Sequence, residues 1–131
     1  MAAGTTPIYP ATPKSWQGQV TAANTNRDGS GAIVTVVTGS ANGSKIDRVR
    51  IKSTVTTTAG LARLWISLNN GTTWRLYTEI TVSAITVSAT TAAFESTYLT
   101  PDFLLPDTNA LLGATMEKAE ATNFIAHGAD Y

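Results

Sequence analysis

The stretch KIDRVRIKSTVTTTAGLARLWISLNNGTTWRLYTEI, residues 45–80, decides the fold. From Lys45 onward the residues alternate. Val49, Ile51, Ser53 and Val55 fall on one side of an extended chain; Arg48, Arg50 and Lys52 fall on the other. A period of two marks a half-buried strand, because successive side chains leave a pleated backbone on opposite faces. TTTAG (56–60) turns the chain into LARLWISL (61–68), and NNGTT (69–73) turns it again into WRLYTEI (74–80).

The second turn has two readings. Asn70-Gly71 invites a two-residue loop, which places Ser67 opposite Trp74 and Leu64 opposite Tyr77 and mixes polar with apolar groups on both faces. A five-residue loop, 69–73, instead sets Leu68 against Trp74, Ile66 against Leu76 and Leu64 against Thr78, making one face almost wholly apolar. The other face then pairs Arg63 with Glu79, Trp65 with Tyr77 and Ser67 with Arg75, each worth about 0.2–1 kcal/mol. A slip of one residue would turn every side chain to the wrong face, so the longer loop is expected, with a Trp65–Tyr77 pair on the outer surface. That pair has three readings: a protein interface, a platform for a sugar ring, or core if the sheet is covered on both sides.

Outward from this hairpin, AIVTVVT (32–38), TVSAITV (81–87), AFESTYL (93–99), ALLGATME (110–117) and TNFIAHG (122–128) read as further strands. Thr, Ile and Val fill 39 of 131 positions, and branched side chains suit a pleated surface. Pro101 and Pro106 are expected to bracket a loop, and MEKAEA (116–121) offers one helical turn at most. About eight short strands at this spacing predict one all-β domain, residues 26–131, folded as an antiparallel β-sandwich with a jelly-roll-like arrangement.

Residues 1–25 differ from the rest. They hold Pro7, Pro10 and Pro13 and no alternation long enough for a strand, so they read either as a disordered tail or as an extended N-terminal arm. Ile8, Tyr9 and Trp16 are large anchors of a kind a purely solvated tail rarely carries, which suggests an arm that orders on a neighbour. Between arm and domain, NTNRDGSG (24–31) is a turn cluster in which Gly29 and Gly31 supply positive-φ positions.

Composition narrows the chemistry. Nine Lys/Arg balance nine Asp/Glu, which argues against a general electrostatic grip on nucleic acid. No apolar run approaches the roughly 20 residues of a membrane span, and the first 20 residues lack the charged-then-apolar order of a signal peptide. There is no Cys and a single His, His127. No nucleophile elbow or phosphate loop is present. The expectation is a non-enzymatic protein without a cofactor or metal. Arg48, Arg50 and Lys52 form a basic stripe, read as a solvated or edge-protecting face or as a docking strip for an acidic protein surface. Ser67-Leu-Asn69-Asn-Gly71-Thr-Thr-Trp74 resembles the Asp-box of sialidase propellers, with Asn69 where Asp is usual. It occurs once and reads as a hairpin-stabilising device.

Several segments together carry a wider resemblance: N-x-N-x-D-G-x-G (24–31), G-x-x-x-G-S-K-I (39–46) running into R-V-R-I-K (48–52), TTTAGLARLWI (56–66), E-I-T-V (79–82), F-E (94–95) and NFIAHGADY (123–131). Over residues 24–131 the chain resembles small structural proteins of tailed bacteriophages. The resemblance implies a virion component, such as a head decoration or cement protein. Its partners would be the major capsid protein and copies of itself, as a homotrimer on the capsid surface, assembled in the host cytoplasm. It supplies no catalytic residue. Neck, tail or fibre-base roles, and a carbohydrate-binding module using Trp65, Tyr77 and Trp74, are the alternatives.

Overall fold

The alternation of branched and polar residues produces eight strands: β1 (Thr12–Val20), β2 (Val34–Thr38), β3 (Ser44–Ser53), β4 (Gly60–Ser67), β5 (Arg75–Val82), β6 (Glu95–Leu105), β7 (Leu111–Met116) and β8 (Thr122–Asp130). The structure, a computed structural model, describes residues 9–131, apart from the side chains at 101 and 102. No helix occurs among the described residues. Two four-stranded sheets form, ordered β1-β8-β3-β6 (sheet A) and β2-β7-β4-β5 (sheet B). Every neighbouring pair is antiparallel. Only β4 and β5 are adjacent both in sequence and in a sheet; the other connections cross between sheets. This is the strand order of a jelly roll, two Greek keys folded face to face. The expected all-β sandwich is therefore the observed fold.

The core lies between the sheets. Val49, Ile51 and Phe124 from sheet A meet Val37, Leu64, Leu112 and Met116 from sheet B, all fully buried. The alternation of β3 is as expected: Val49, Ile51 and Ser53 point inward, while Arg48 and Arg50 are exposed and Lys52 is half-buried.

Four expectations are corrected. First, Thr12–Val20 is not an arm but edge strand β1, paired with β8 from Thr12↔Asp130 to Val20↔Thr122. Pro13 is compatible with that position, because an edge strand has one side where a missing N–H breaks no ladder. Second, 81–87 is not a strand of its own: Thr81 and Val82 end β5, and Ile85 makes only an isolated bridge to Thr57. Third, 103–105 continue β6 instead of forming a loop. Fourth, β3 lies between β8 and β6, so its basic stripe protects no edge.

The hairpin register is right at its base and wrong at its tip. Arg63↔Glu79 and Leu64↔Thr78 pair as expected, but a bulge follows, and Trp65 meets Leu76 while Ile66 meets Arg75. Tyr77 is the extra residue. A bulge re-aims the side chain it carries. Here the Tyr77 ring packs edge-on against Phe103 (centroids 4.7 Å apart) and Tyr98 (6.4 Å), closing the seam between β5 and β6.

Candidate functional site

A sandwich has two outer faces, and this chain treats them differently. On sheet B the outward residues of β4 and β7 include Arg63, Trp65, Gly113 and Thr115. They are covered by the segment between β1 and β2 and by the β4–β5 hairpin. Trp65 is fully buried, and its Nε1 donates to Thr115 Oγ1 at 2.9 Å. Gly113, beside Trp65, leaves the room that the covering side chains fill: a Cβ there would stand 2.6 Å from Ile33 and 2.8 Å from the Trp74 ring. Asn24 staples the covering segment. Its amide donates to the carbonyls of Ser30 (3.1 Å) and Ala32 (3.0 Å), and its Oδ1 accepts from the Asn26 N–H. Gly29 (φ 90°) and Gly31 (φ 82°) take the left-handed turns that let the loop close.

Beneath this cover lies Arg63, 1% exposed. Its Nε donates to Glu79 Oε2 at 2.9 Å and its Nη1 to the Asn24 carbonyl at 3.2 Å. Its Nη2 stands 2.7 Å from Glu117 Oε2, close enough for an ion pair but out of line for a hydrogen bond, which leaves that buried oxygen without one. Arg27, on the covering segment, shares Glu79 Oε2 at 2.9 Å. The Arg27 hydrogen bond is the main reason the Glu79 carboxyl sits below its ordinary 4.5; Arg63 adds to the effect and burial opposes it.

The Asp-box-like stretch builds the hairpin tip. Asn69 Oδ1 accepts from the Thr73 N–H and the Ser67 hydroxyl, and Ser67 Oγ accepts from the Gly71 N–H. Asn70 and Gly71 both adopt positive φ (57° and 86°). The motif thus places Trp74 over sheet B.

Among the described residues, none forms such a cover over the outer face of sheet A. Its register aligns residues of all four strands in rows: Pro13, Ala129, Lys45 and Leu104; Ser15, His127, Arg48 and Leu99; Gln17, Ile125, Arg50 and Thr97; Gln19, Asn123, Lys52 and Glu95. Down β3 runs a stripe of four cations, Lys45, Arg48, Arg50 and Lys52. On the β6 side, Leu99 is 70% and Leu104 50% exposed. On the β1 side lie amides and hydroxyls, with Gln19 donating to Asn123 and Ser15 Oγ bonded to His127 Nδ1 at 2.9 Å.

Most charges here are matched. Arg50 pairs with Glu95 and Lys45 with Asp47 (3.6 Å), and Lys52 donates to the Ala93 carbonyl; Lys14 pairs with Asp130 (2.8 Å) on the opposite side of the sheet, at its rim. The Arg50 hydrogen bond holds the Glu95 carboxyl below its usual value. Burial would raise Asp130, but Lys14 and the Ser44 hydroxyl outweigh it, and its carboxyl is lowered. Arg48 has no ion pair or side-chain hydrogen bond among the described residues. It borders an open depression of about 410 Å³ together with Lys14, Ser15, Asp47 and His127. The depression sits at the β3 bulge, where Gly128 lets the Lys45 backbone approach so closely that a Cβ would strike its carbonyl.

Of the residues singled out from sequence, the structure brings Arg48, Arg50 and Lys52 together on this bare face. Of the three readings of the outward Trp65, the one with the sheet covered on both sides is what the structure shows: Trp65 is buried, because covering segments that pairing rules could not reveal lie over it. Tyr77 stands apart from it in the seam, so the two rings make no shared sugar-binding platform. Trp16 is half-buried against the chain's own core, opposite Ala126. Tyr9 is 72% exposed, and Ile8 with the rest of 1–8 lies outside the described residues. Sequence reasoning missed Lys45, Ser15 and Leu99 as members of the face. It also left His127 without a role. Among the described residues no group of three or more His, Asp or Glu is placed to hold a metal ion, and no helix is long and apolar enough to cross a membrane. Comparison of the chain with models of known protein families and with curated proteins gives no match to either.

Proposed function

We propose that this chain is a non-enzymatic structural protein of a tailed-phage virion that binds the outer surface of the major capsid shell and stabilises it. The observation that carries this reading is the bare face of sheet A: four strands wide, carrying exposed leucines beside a basic stripe. A protein that seals one outer face with its own loops and leaves the other open, with apolar and charged groups mixed, has the surface of a binding partner. The jelly roll by itself hosts many functions and carries no weight here. The resemblance over residues 24–131 supplies the kind of partner. Tyr9, exposed just ahead of β1, offers a second contact to a neighbouring subunit or to another copy in a trimer, and repeated copies add avidity.

The test is to add purified chain to heads that lack it and to measure occupancy and heat resistance. Saturable binding at a fixed stoichiometry, with heads surviving higher temperature, is expected. Absence of binding to heads, or recovery of the chain only with necks, tails or fibres, overturns the reading. Deleting residues 1–8 tests the leading segment separately. A deletion reaching residue 20 would remove β1 and confound attachment with folding.

A further inference from the structure

The structure points to one further site. We infer that the depression bordered by Arg48 receives a carboxylate from an acidic protein surface. The inference rests on the reading of sheet A as the docking face and names the chemistry that face recognises. Arg48 is the one cation of the β3 stripe with no internal partner among the described residues. Its cross-strand neighbours are His127 on β8 and Leu99 on β6. Ser15 Oγ holds His127 Nδ1 at 2.9 Å. With the hydroxyl donating, the remaining imidazole proton sits on Nε2, a second donor beside the guanidinium. Asp47, on the same rim, pairs with Lys45 at 3.6 Å and not with Arg48.

A guanidinium with a neighbouring N–H donor is the arrangement that takes a planar oxyanion, and Arg does this in a forked geometry that Lys cannot reproduce. Leu99 decides which oxyanion. Next to Arg48 and 70% exposed, it is matched by an apolar side chain on a folded partner and by nothing on a phosphate backbone. Single-stranded nucleic acid would also need aromatic rings to stack its bases, and no Phe, Tyr or Trp stands in the four rows of this face. From Arg48 onward the rows along β3 recur every two residues, about 6.8 Å. An extended acidic segment with carboxylates at alternate positions has the same spacing, so its carboxylates can follow the stripe beyond Arg48.

The test uses the full, isotope-labelled chain in a nuclear magnetic resonance titration. The probes are an acetylated (Glu-Thr)4 peptide, an octathymidylate and inorganic phosphate, all at matched ionic strength. The peptide is expected to give saturable shifts at the Arg48 side-chain N–H, His127 and Leu99. Arg48→Ala should weaken that binding at least tenfold, and Arg75→Ala, which removes an exposed arginine on sheet B, should change it less than twofold. Equal binding by Arg48→Ala, shifts centred away from the depression, or binding as strong with phosphate or octathymidylate would each overturn the site. Occupancy of heads by the Arg48→Ala chain separates this site from the broader reading. If the site fails while heads still cover sheet A, the docking face stands on other contacts; if heads never engage the chain, the docking face itself fails.

Discussion

The two outer faces of this sandwich are built from the same kind of strand and reach opposite ends. On sheet B, Trp65 and Arg63 lie under the 24–33 segment and Trp74, and the chain itself covers that surface. On sheet A, Arg48, Ile125 and Leu99 lie in rows with none of the described residues above them. The difference shows that alternation identifies which residues leave a strand outward but not whether they meet solvent. Arg63 and Arg48 both occupy outward positions in a central strand. One is 1% exposed and held by two carboxylates, and the other is exposed and without an ion pair among the described residues. The first belongs to folding, the second to the proposed docking face.

Substitutions can break this contrast. The largest effect is expected from Trp65→Ala, which opens a cavity under the cover and removes the bond to Thr115; a loss of roughly 3–5 kcal/mol is expected, read as a fall in the urea midpoint. A loss below about 1 kcal/mol would mean that the cover is loose. Arg63→Ala comes next, at about 3 kcal/mol, the lower end for breaking a buried pair, because Glu79 and Glu117 keep some contact with solvent and can rehydrate. Arg63→Met, which keeps the buried stem, should cost less than Arg63→Ala.

Acid sharpens the comparison. Glu79 has a folded pKa below its ordinary 4.5. Its contribution to stability is therefore complete above about 4.5 and is lost as pH falls through the lower folded value. Glu79→Gln should flatten that loss, measured as the unfolding free energy against pH. Glu95→Gln, which removes a solvent-screened pair on the bare face, should flatten it less, although its carboxyl is lowered too. The reverse ranking would mean that the cover is not held by Glu79. The smallest effects belong to the bare face: Arg48→Ala and Leu99→Thr should each leave stability within about 0.5 kcal/mol of the parent. A larger loss would make those residues part of the folding unit.

The parts of this architecture that can be read from sequence are those a single strand carries within itself. The stripe of Arg48, Arg50 and Lys52 needs only the period of β3. Gly29 and Gly31 announce their turns, and Arg63–Glu79 follows from charge matching across a hairpin. The rest depends on distant partners. His127 and Leu99 join Arg48 only because β3 pairs with β8 and β6, far along the chain. Trp65 is buried by Ile33 and Trp74, which no pairing rule places over Gly113. A bulge of one residue moved Tyr77 from an expected outer pair to the inter-sheet seam. β1 was hidden because an edge strand tolerates Pro13 and needs few apolar residues, here Trp16 and Val20 around Gly18.

The measurement that bears most directly on the proposed docking face is an image, at side-chain resolution, of phage heads to which the chain has been added. The account predicts that Arg48, Ile125 and Leu99 are buried against a partner while the 24–33 segment and the hairpin around Asn70 face solvent. A chain seated on its 24–33 segment, with the rows of sheet A open to water, would contradict it.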